Sequence, residues 1–335
     1  CHIYVGRRPD HVARPSLIFF PVLDGYLCCG FAGLMTCGLK SQPPQTRADL
    51  TLVALWKKLK SAHVKNPSRL PEVTETVNAM ADTVAQLKKE EAQEFLFFHP
   101  DYSSDLSVFA ADLNRFIAEK ENRLDEQTAF LTSAELESVN SLIVMLKDIG
   151  WALEKDILAN LPKILALTGA GNRADIRPAA FRKYRKLNLA LNALDRLEVR
   201  GRDSAGIDLT FAPESENDLK AALQRITEQG WLADYEKRTQ PGDLLNLSVS
   251  VTKNTRGTNA GIVVTFTYKT FSTVGKLGRN VAELRNSIRN DRILRCFADL
   301  ETSCENVLMH TRWASVGSIT EENCHPVNNH SMIRF

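Results

Sequence analysis

Between Ala48 and Gly169 apolar residues recur at helical spacing, most clearly as Leu50, Leu52, Val53, Leu55, Trp56 and Leu59. Similar stripes run from Val73 to Leu96 and from Leu106 to Leu167. A period near 3.6 predicts amphipathic helices, each burying one face. Ser133-Ala134-Glu135 reads as a capped helix start with an early acid, and Gly169-Ala170-Gly171-Asn172 as a stop. A helical block over about 48–169, with hardly any strand signal, is expected, followed by one more helix at about Pro178 to Leu197.

Beyond that helix the period changes. Ile207 to Phe211 reads as a strand, and Leu247 to Thr252 and Ile262 to Tyr268 alternate around Asn254–Asn259, which predicts a hairpin. A shorter helical stretch at about Ser215 to Tyr235 ends before the turn Gln240-Pro241-Gly242-Asp243. A helix over Val281 to Ile288 precedes a strand through Val307-Leu308-Met309. Upstream, Cys1 to Cys28 is poorly patterned because Pro9, Pro15 and Pro21 interrupt either period, so 1–28 reads as a propeptide or a non-native leader. Cys29 to Leu39 looks like a buried strand running into a small-residue turn, and Ser41 to Thr46 like a linker.

Composition narrows the picture. With 335 residues, 44% apolar and 24% charged, the chain can build one large or two ordinary domains around a real core. A net charge of +2 gives no bulk attraction to nucleic acid or to an anionic membrane. The run Arg182-Lys183-Tyr184-Arg185-Lys186 is expected to be a solvated helix face. Seven cysteines without paired C-x-x-C spacing argue against a disulfide framework or a metal knuckle, and point to reduced thiols in the cytoplasm. Cys296, Cys304 and Cys324 are expected to pack as small apolar groups. No run reaches the roughly 18 apolar residues of a membrane span.

Three short clusters carry chemistry: Cys29-Gly30-Phe31-Ala32-Gly33, Arg200-Gly201-Arg202-Asp203-Ser204-Ala205-Gly206, and His310-Thr311-Arg312-Trp313-Ala314-Ser315 with Cys324-His325-Pro326 after it. In this order they resemble the class II glutamine amidotransferase domain, specifically that of the glutamine-dependent glucosamine-6-phosphate synthases. The Trp in His310 to Ala314 separates the chain from the related amidophosphoribosyltransferases, whose acceptor is phosphoribosyl pyrophosphate. Ser315 stands where the family has Thr and keeps a hydroxyl, whereas Val316 stands for a His and brings no hydrogen bond. Cys324 and Val327 replace an Ala and a second His.

The resemblance implies an α+β fold of the N-terminal-nucleophile hydrolase kind, an αββα sandwich. Here it would be a partial domain over 29–335, interrupted by helical insertions at about 48–169 and about 212–245. It implies that Cys29, freed as residue one, attacks the amide of glutamine. The α-amine would serve as base, since amine and thiol titrate near pH ~8 and ~8.5. Cys1 is the rival, but Cys1-His2-Ile3 puts His where the pattern has Gly, while Gly30 and Gly33 follow Cys29 as the pattern requires. Arg312 would clamp the substrate carboxylate through its planar fork, Trp313 wall the pocket, Ser315 hydrogen-bond substrate and His325 line the site. Arg200 and Asp203 would brace the loops around the cysteine. Read without the resemblance, Arg312 is a surface ion-pair residue, Trp313 a core aromatic, Ser315 a turn cap and His325 a structural histidine.

Neither a cofactor nor a metal is implied. The family's domain continues to an Asn-Gly oxyanion turn, an Asp for the substrate amine and sugar-isomerase domains. None of these follows here, so the sequence reads as a fragment or truncated product. The implied partners are glutamine and, through the missing domains, the sugar phosphate fructose-6-phosphate, in a cytoplasmic protein compatible with a homodimer. Two other readings stay open: the same fold with another acceptor, and a catalytically inactive interaction module.

Overall fold

A computed structural model describes residues 16–18, 30–37, 48–61, 70–127, 132–240, 248–254, 261–271, 276–313, 320 and 324–326. Cys29, Ser315, Val316, Val327 and nearly all of 1–28 lie outside them. The chain divides into two compact units, one of Ser41–Ala166 with Ala170–Ile176, the other of Cys1–Lys40, Leu167–Gly169 and Arg177–Phe335. Helices stand beside a single antiparallel sheet, which makes the fold a mixed α and β one.

The first unit is helical. It holds α1 (Ala48–Ser61), α2 (Leu70–Leu87), α3 (Glu90–Phe98), α4 (Pro100–Gln127), α5 (Ser133–Trp151) and most of α6 (Asn160–Thr168). Between α5 and α6 the helix widens into π-type turns over Ala152–Leu158. The expected stripes supply the core: Leu52, Trp56 and Leu59 of α1 and Val73, Val77, Met80 and Val84 of α2 are buried, whereas Val53 is exposed. Phe109 and Phe116 stand edge-on to Trp56, whose Nε1 donates to Asp112 at 2.9 Å. The cap of α5 sits one residue before the expected Ser133. Thr132 accepts from the Glu135 amide while the Glu135 carboxylate accepts from the Thr132 amide, a complete capping box. Gly169 ends α6 with a left-handed φ of 68°.

The second unit is built on one six-stranded antiparallel sheet. Its strands are β1 (Ser16–Ile18), β2 (Gly30–Cys37), β3 (Ser204–Pro213), β4 (Val249–Asn254), β5 (Gly261–Phe271) and β6 (Thr302–Arg312), in the spatial order β1-β2-β6-β3-β5-β4. The expected hairpin is β4–β5. β1 arises from a stretch that predicts no element. With it in this unit are α7 (Pro178–Leu197), α8 (Glu216–Glu228), α9 (Leu232–Arg238), α10 (Arg279–Asn290) and α11 (Arg292–Ala298).

Strand alternation sorts the sheet into two faces. One carries Ala32, Leu34, Ile207, Leu209, Phe211, Phe266, Val307 and Met309, all buried. Helices cover this face: Phe297 of α11 stands edge-on to Phe266, and Thr270 of β5 bonds Glu283 of α10. The other face carries Ser204, Gly206 and Asp208 of β3, His310 and Arg312 of β6, and Phe31 and Met35 of β2, the last two 44% and 55% exposed.

Two sequence expectations fail here. The basic run of α7 is not solvated, because Arg182, Lys183, Arg185 and Lys186 are all buried. For the two lysines the partner is Glu305, which β6 presents on the covered face: it pairs with Lys183 at 3.2 Å and Lys186 at 2.8 Å and accepts from Thr302 at 2.7 Å, while Arg182 pairs with Glu301 at 2.6 Å. Burial alone would push the Glu305 carboxyl up, yet the two lysines outweigh it and hold it at about 2. The second concerns thiols. Cys37 and Cys304 are direct partners across β2 and β6 and are joined as a disulfide, so Cys304 is not a packing thiol. Register, which cysteine spacing does not reveal, brings them together.

Candidate functional site

The three motif clusters meet where β2, β6 and β3 lie side by side. Gly30, the residue after Cys29, pairs with Thr311, and Phe31 pairs with His310. On the other side of β6, Ser204 pairs with Arg312 and Gly206 with His310. Gly33 sits lower on β2, opposite Leu308.

The loop from Arg200 to Asp203 is fixed from both sides. After α7 a single 3₁₀ turn, Glu198–Arg200, leads to Gly201. A Cβ at Gly201 would lie 2.9 to 3.0 Å from backbone atoms of Thr311 and Arg312, so only glycine lets the loop cross β6 this closely. The Asp203 amide donates to the Arg312 carbonyl at 3.2 Å. On the far side, Asn280 of α10 donates to the Arg202 carbonyl at 2.9 Å. The buried Glu198 carboxylate accepts from the amides of Gly278 and Val281, giving the N-terminus of α10 a negative partner. Arg200 itself is exposed, so the bracing runs through Gly201, the Arg202 carbonyl and the Asp203 amide.

His325 approaches from the other direction. A Cβ at Gly206 would lie against the His325 carbonyl and 2.9 Å from Pro326 Cδ, so the His-Pro segment rests on bare backbone. Cys324 anchors it, its thiol donating to the carbonyls of Thr320 at 3.2 Å and Thr270 at 3.5 Å. The His325 and His310 ring centroids lie 4.6 Å apart at 64°.

Burial and neighbouring cations hold both imidazoles towards their neutral forms. Burial, then His325 and Arg312, lower the His310 pKa to about 4. Partial burial, then Arg312 and Lys269, lower that of His325. Lys269 of β5 pairs with Gly206 across the sheet from His310, so both flank the same glycine. Two residues along β3, burial raises the Asp208 carboxyl to about 6 against the pull of Thr267 and Lys269.

Of the residues singled out from sequence, Gly30, Gly33, Arg200, Asp203, Arg312, Trp313 and His325 are described and Cys29 and Ser315 are not. Arg312, Asp203, Gly30 and His325 converge at this end of the sheet, and Trp313, directly after β6, is 46% exposed. Sequence reasoning includes His310 and Ser204 in the motif clusters without giving them a role, and it misses Lys269 and Asp208. Alternation along β6 carries one usable signal, since it places His310 on the same face as Arg312. Among the described residues no group of three or more His, Cys, Asp or Glu could hold a metal ion, and no helix is long and apolar enough to cross a membrane. Compared with family models, curated proteins and solved structures, the chain matches none.

Proposed function

We propose that this chain binds L-glutamine at the end of the sheet where β2, β6 and β3 adjoin, and hydrolyses its side-chain amide as the glutaminase portion of a class II amidotransferase. One observation carries the reading. Motif clusters far apart in sequence converge on neighbouring strands, with Gly30 on Thr311, the Asp203 amide on the Arg312 carbonyl and His325 over Gly206. Such convergence is what a cysteine, a carboxylate clamp and a supporting loop require.

In this reading the Cys29 thiol attacks the amide carbon, and its proton passes to the Cys29 α-amine, which hands it to the departing nitrogen as the C–N bond breaks and ammonia leaves. Water then cleaves the resulting thioester to release glutamate and restore the thiol. Arg312 takes the α-carboxylate. The ammonia goes to fructose-6-phosphate in domains beyond this sequence, in the cytoplasm. The six-stranded sheet is then one layer of the N-terminal-nucleophile hydrolase sandwich, and the helical unit is an insertion into it. A second reading, an interaction module without catalysis, draws on the helical unit, whose Val108, Val144 and Trp151 are exposed.

Ammonia release from L-glutamine, measured on a protein that begins at Cys29, tests the proposal. A glutamine-analogue electrophile should label Cys29, and Arg312→Ala should weaken glutamine binding on the order of a hundredfold by removing a charged clamp. An adduct on Cys1 alone, or glutamine affinity indifferent to Arg312→Ala, would sink it.

A further inference from the structure

A cavity of about 440 Å³ opens in the sheet unit where α9, β5 and the corner between α10 and α11 meet, and the glutamine reading makes no use of it. It exists because β5 outruns β4: Val249 pairs with Phe266, and β5 continues to Phe271 with no β4 strand beside it. Lys237 and Arg238 of α9, Tyr268 of β5, Ser287 of α10, and Asp291 and Arg292 at the corner are among its lining residues.

Arg238 is the fixed point of this cavity. Its guanidinium lies over the rings of Phe266 and Tyr268, at 5.6 and 5.9 Å from their centroids. Nε donates to Ser248 Oγ at 3.0 Å and Nη1 to Asp291 Oδ2 at 2.7 Å. Nη2 carries the two remaining N–H groups, of which at most the one near the Tyr268 hydroxyl is engaged. With 20% of the side chain exposed, the other is left for the cavity. Asp291 has both oxygens in use, since Oδ2 also accepts from Tyr268 at 2.6 Å and Oδ1 accepts from the Leu294 amide at 2.9 Å. The guanidinium is therefore held in place before any ligand arrives, and little ordering opposes binding.

Charge narrows the ligand class. Each acid of the lining has an arginine: Asp291 has Arg238, and Asp234 has Arg292, which lies over the Trp231 ring at 5.2 Å. Lys269 also lines the cavity, but Asp208 lies close to it and it is left out of the balance. Lys237 is exposed and has no acid partner among the described residues. An exposed lysine alone is ordinary; sharing a cavity with a pinned guanidinium, it leaves that cavity positive. A cation would be repelled, because the acids that could attract it are engaged. Donors from Arg238 Nη2, the Lys237 ammonium and the Ser287 hydroxyl match the three free oxygens of a phosphate monoester better than the two of a carboxylate. The volume is of the size that holds a small organic molecule besides.

We propose that this cavity binds a small molecule through its phosphate monoester group, held by Arg238, Lys237 and Ser287. The site does not depend on the glutamine reading.

Phosphorus NMR titration of the full chain at low ionic strength, with inorganic phosphate and with glycerol 3-phosphate, tests it. The wild type should broaden both signals saturably. Lys237→Glu, a change at the surface, should leave the melting temperature where it is and weaken both ligands about 10- to 100-fold, the loss typical of a hydrogen bond to a charged group. Arg238→Lys keeps a cation beside Asp291 without the fork and should weaken them as much. Should that variant fail to fold, Lys237→Glu still decides. Lys220→Glu, on the exposed side of α8 and outside the cavity, controls for bulk charge and should bind as the wild type does. No saturable binding by the wild type, unchanged affinity in Lys237→Glu, or an equal loss in Lys220→Glu overturns the proposal. Displacement of phosphate by an equal concentration of acetate overturns the choice of phosphate.

Discussion

The helical unit and the sheet unit keep their polar groups in opposite ways. In the helical unit the described charged side chains other than Glu90 are exposed or half-buried, and its ion pairs, such as Lys60–Asp112 and Lys88–Asp156, are half-exposed. In the sheet unit Lys183, Lys186 and Glu305 are at most 1% exposed and pair with one another out of reach of water, with Lys183 also donating to the Leu300 carbonyl at 2.6 Å. Exposed pairs contribute little and forgive loss of a partner; buried ones do not. Charge should therefore control the stability of the sheet unit and barely touch that of the helical one.

The largest effect that would test this contrast comes from Glu305→Ala. It strands two lysines under β6 and should cost about 3–5 kcal/mol. Lys60→Ala in the helical unit should stay within about 0.5 kcal/mol of wild type. Urea unfolding, with amide exchange on β6 and on α2 reporting each unit separately, measures both. A loss near 1 kcal/mol for Glu305→Ala would mean the lysines reach water, and the contrast would fail. Because the folded pKa of Glu305 is depressed to about 2, its contribution is present above pH ~4.5 and is lost as pH falls towards 2.

What the sequence shows of each unit follows the same division. Helical stripes are local: the residues that pack, such as Leu52, Trp56 and Leu59, lie within a few positions of one another, so periodicity alone finds them. The sheet depends on pairing between distant segments. The hairpin β4–β5 is legible because its turn lies between its strands, but no local signal orders β2, β6 and β3. The basic run of α7 shows the cost, since whether Lys183 and Lys186 face water is decided by Glu305 on a strand far along the chain. At the site, the motif residues Gly30, Asp203, Arg312 and His325 are recognisable one by one. Ser204 and Lys269 gain meaning only from the partners that register gives them.

A smaller effect compares two glycines, each tight against a neighbour. Gly206 in the sheet unit faces backbone, the His325 carbonyl and the Pro326 ring, which cannot move without lifting the His-Pro segment. A Cβ at Gly150 in α5 would lie 2.5 Å from the Asn114 side-chain oxygen, and that side chain, though it donates to Glu154, can turn as backbone cannot. Gly206→Ala should cost about 2–3 kcal/mol through overpacking. Gly150→Ala should fall within about 1 kcal/mol of wild type, because alanine's better helix propensity offsets the crowding. Equal losses in denaturant titrations of the two variants would show that the rigidity of the neighbour does not decide the outcome.

The smallest net change expected is the wild-type response to mild acid, because two groups on the half-polar face act in opposite directions. His310 has a folded pKa lowered to about 4, so its contribution is present above its ordinary value of 6.5 and is lost as pH falls from 6.5 through 4. Asp208 has a folded pKa raised to about 6, so its contribution is full below its ordinary 3.8 and is lost as pH rises through 6. Between pH 4 and 6 one gains what the other loses, and with His325, also lowered, acting in the same direction as His310, the stability of the sheet unit should rise only gently with pH. Single substitutions remove the balance. His310→Asn leaves Asp208 opposed by His325 only, so stability should fall with rising pH across that window, while Asp208→Asn leaves the two histidines unopposed and stability should rise. Each slope should amount to about 1–2 kcal/mol over the window once solvent screening is allowed for. Melting curves at half-unit steps of pH resolve changes of that size, and parallel curves for the two variants would show that neither group feels the burial this face imposes.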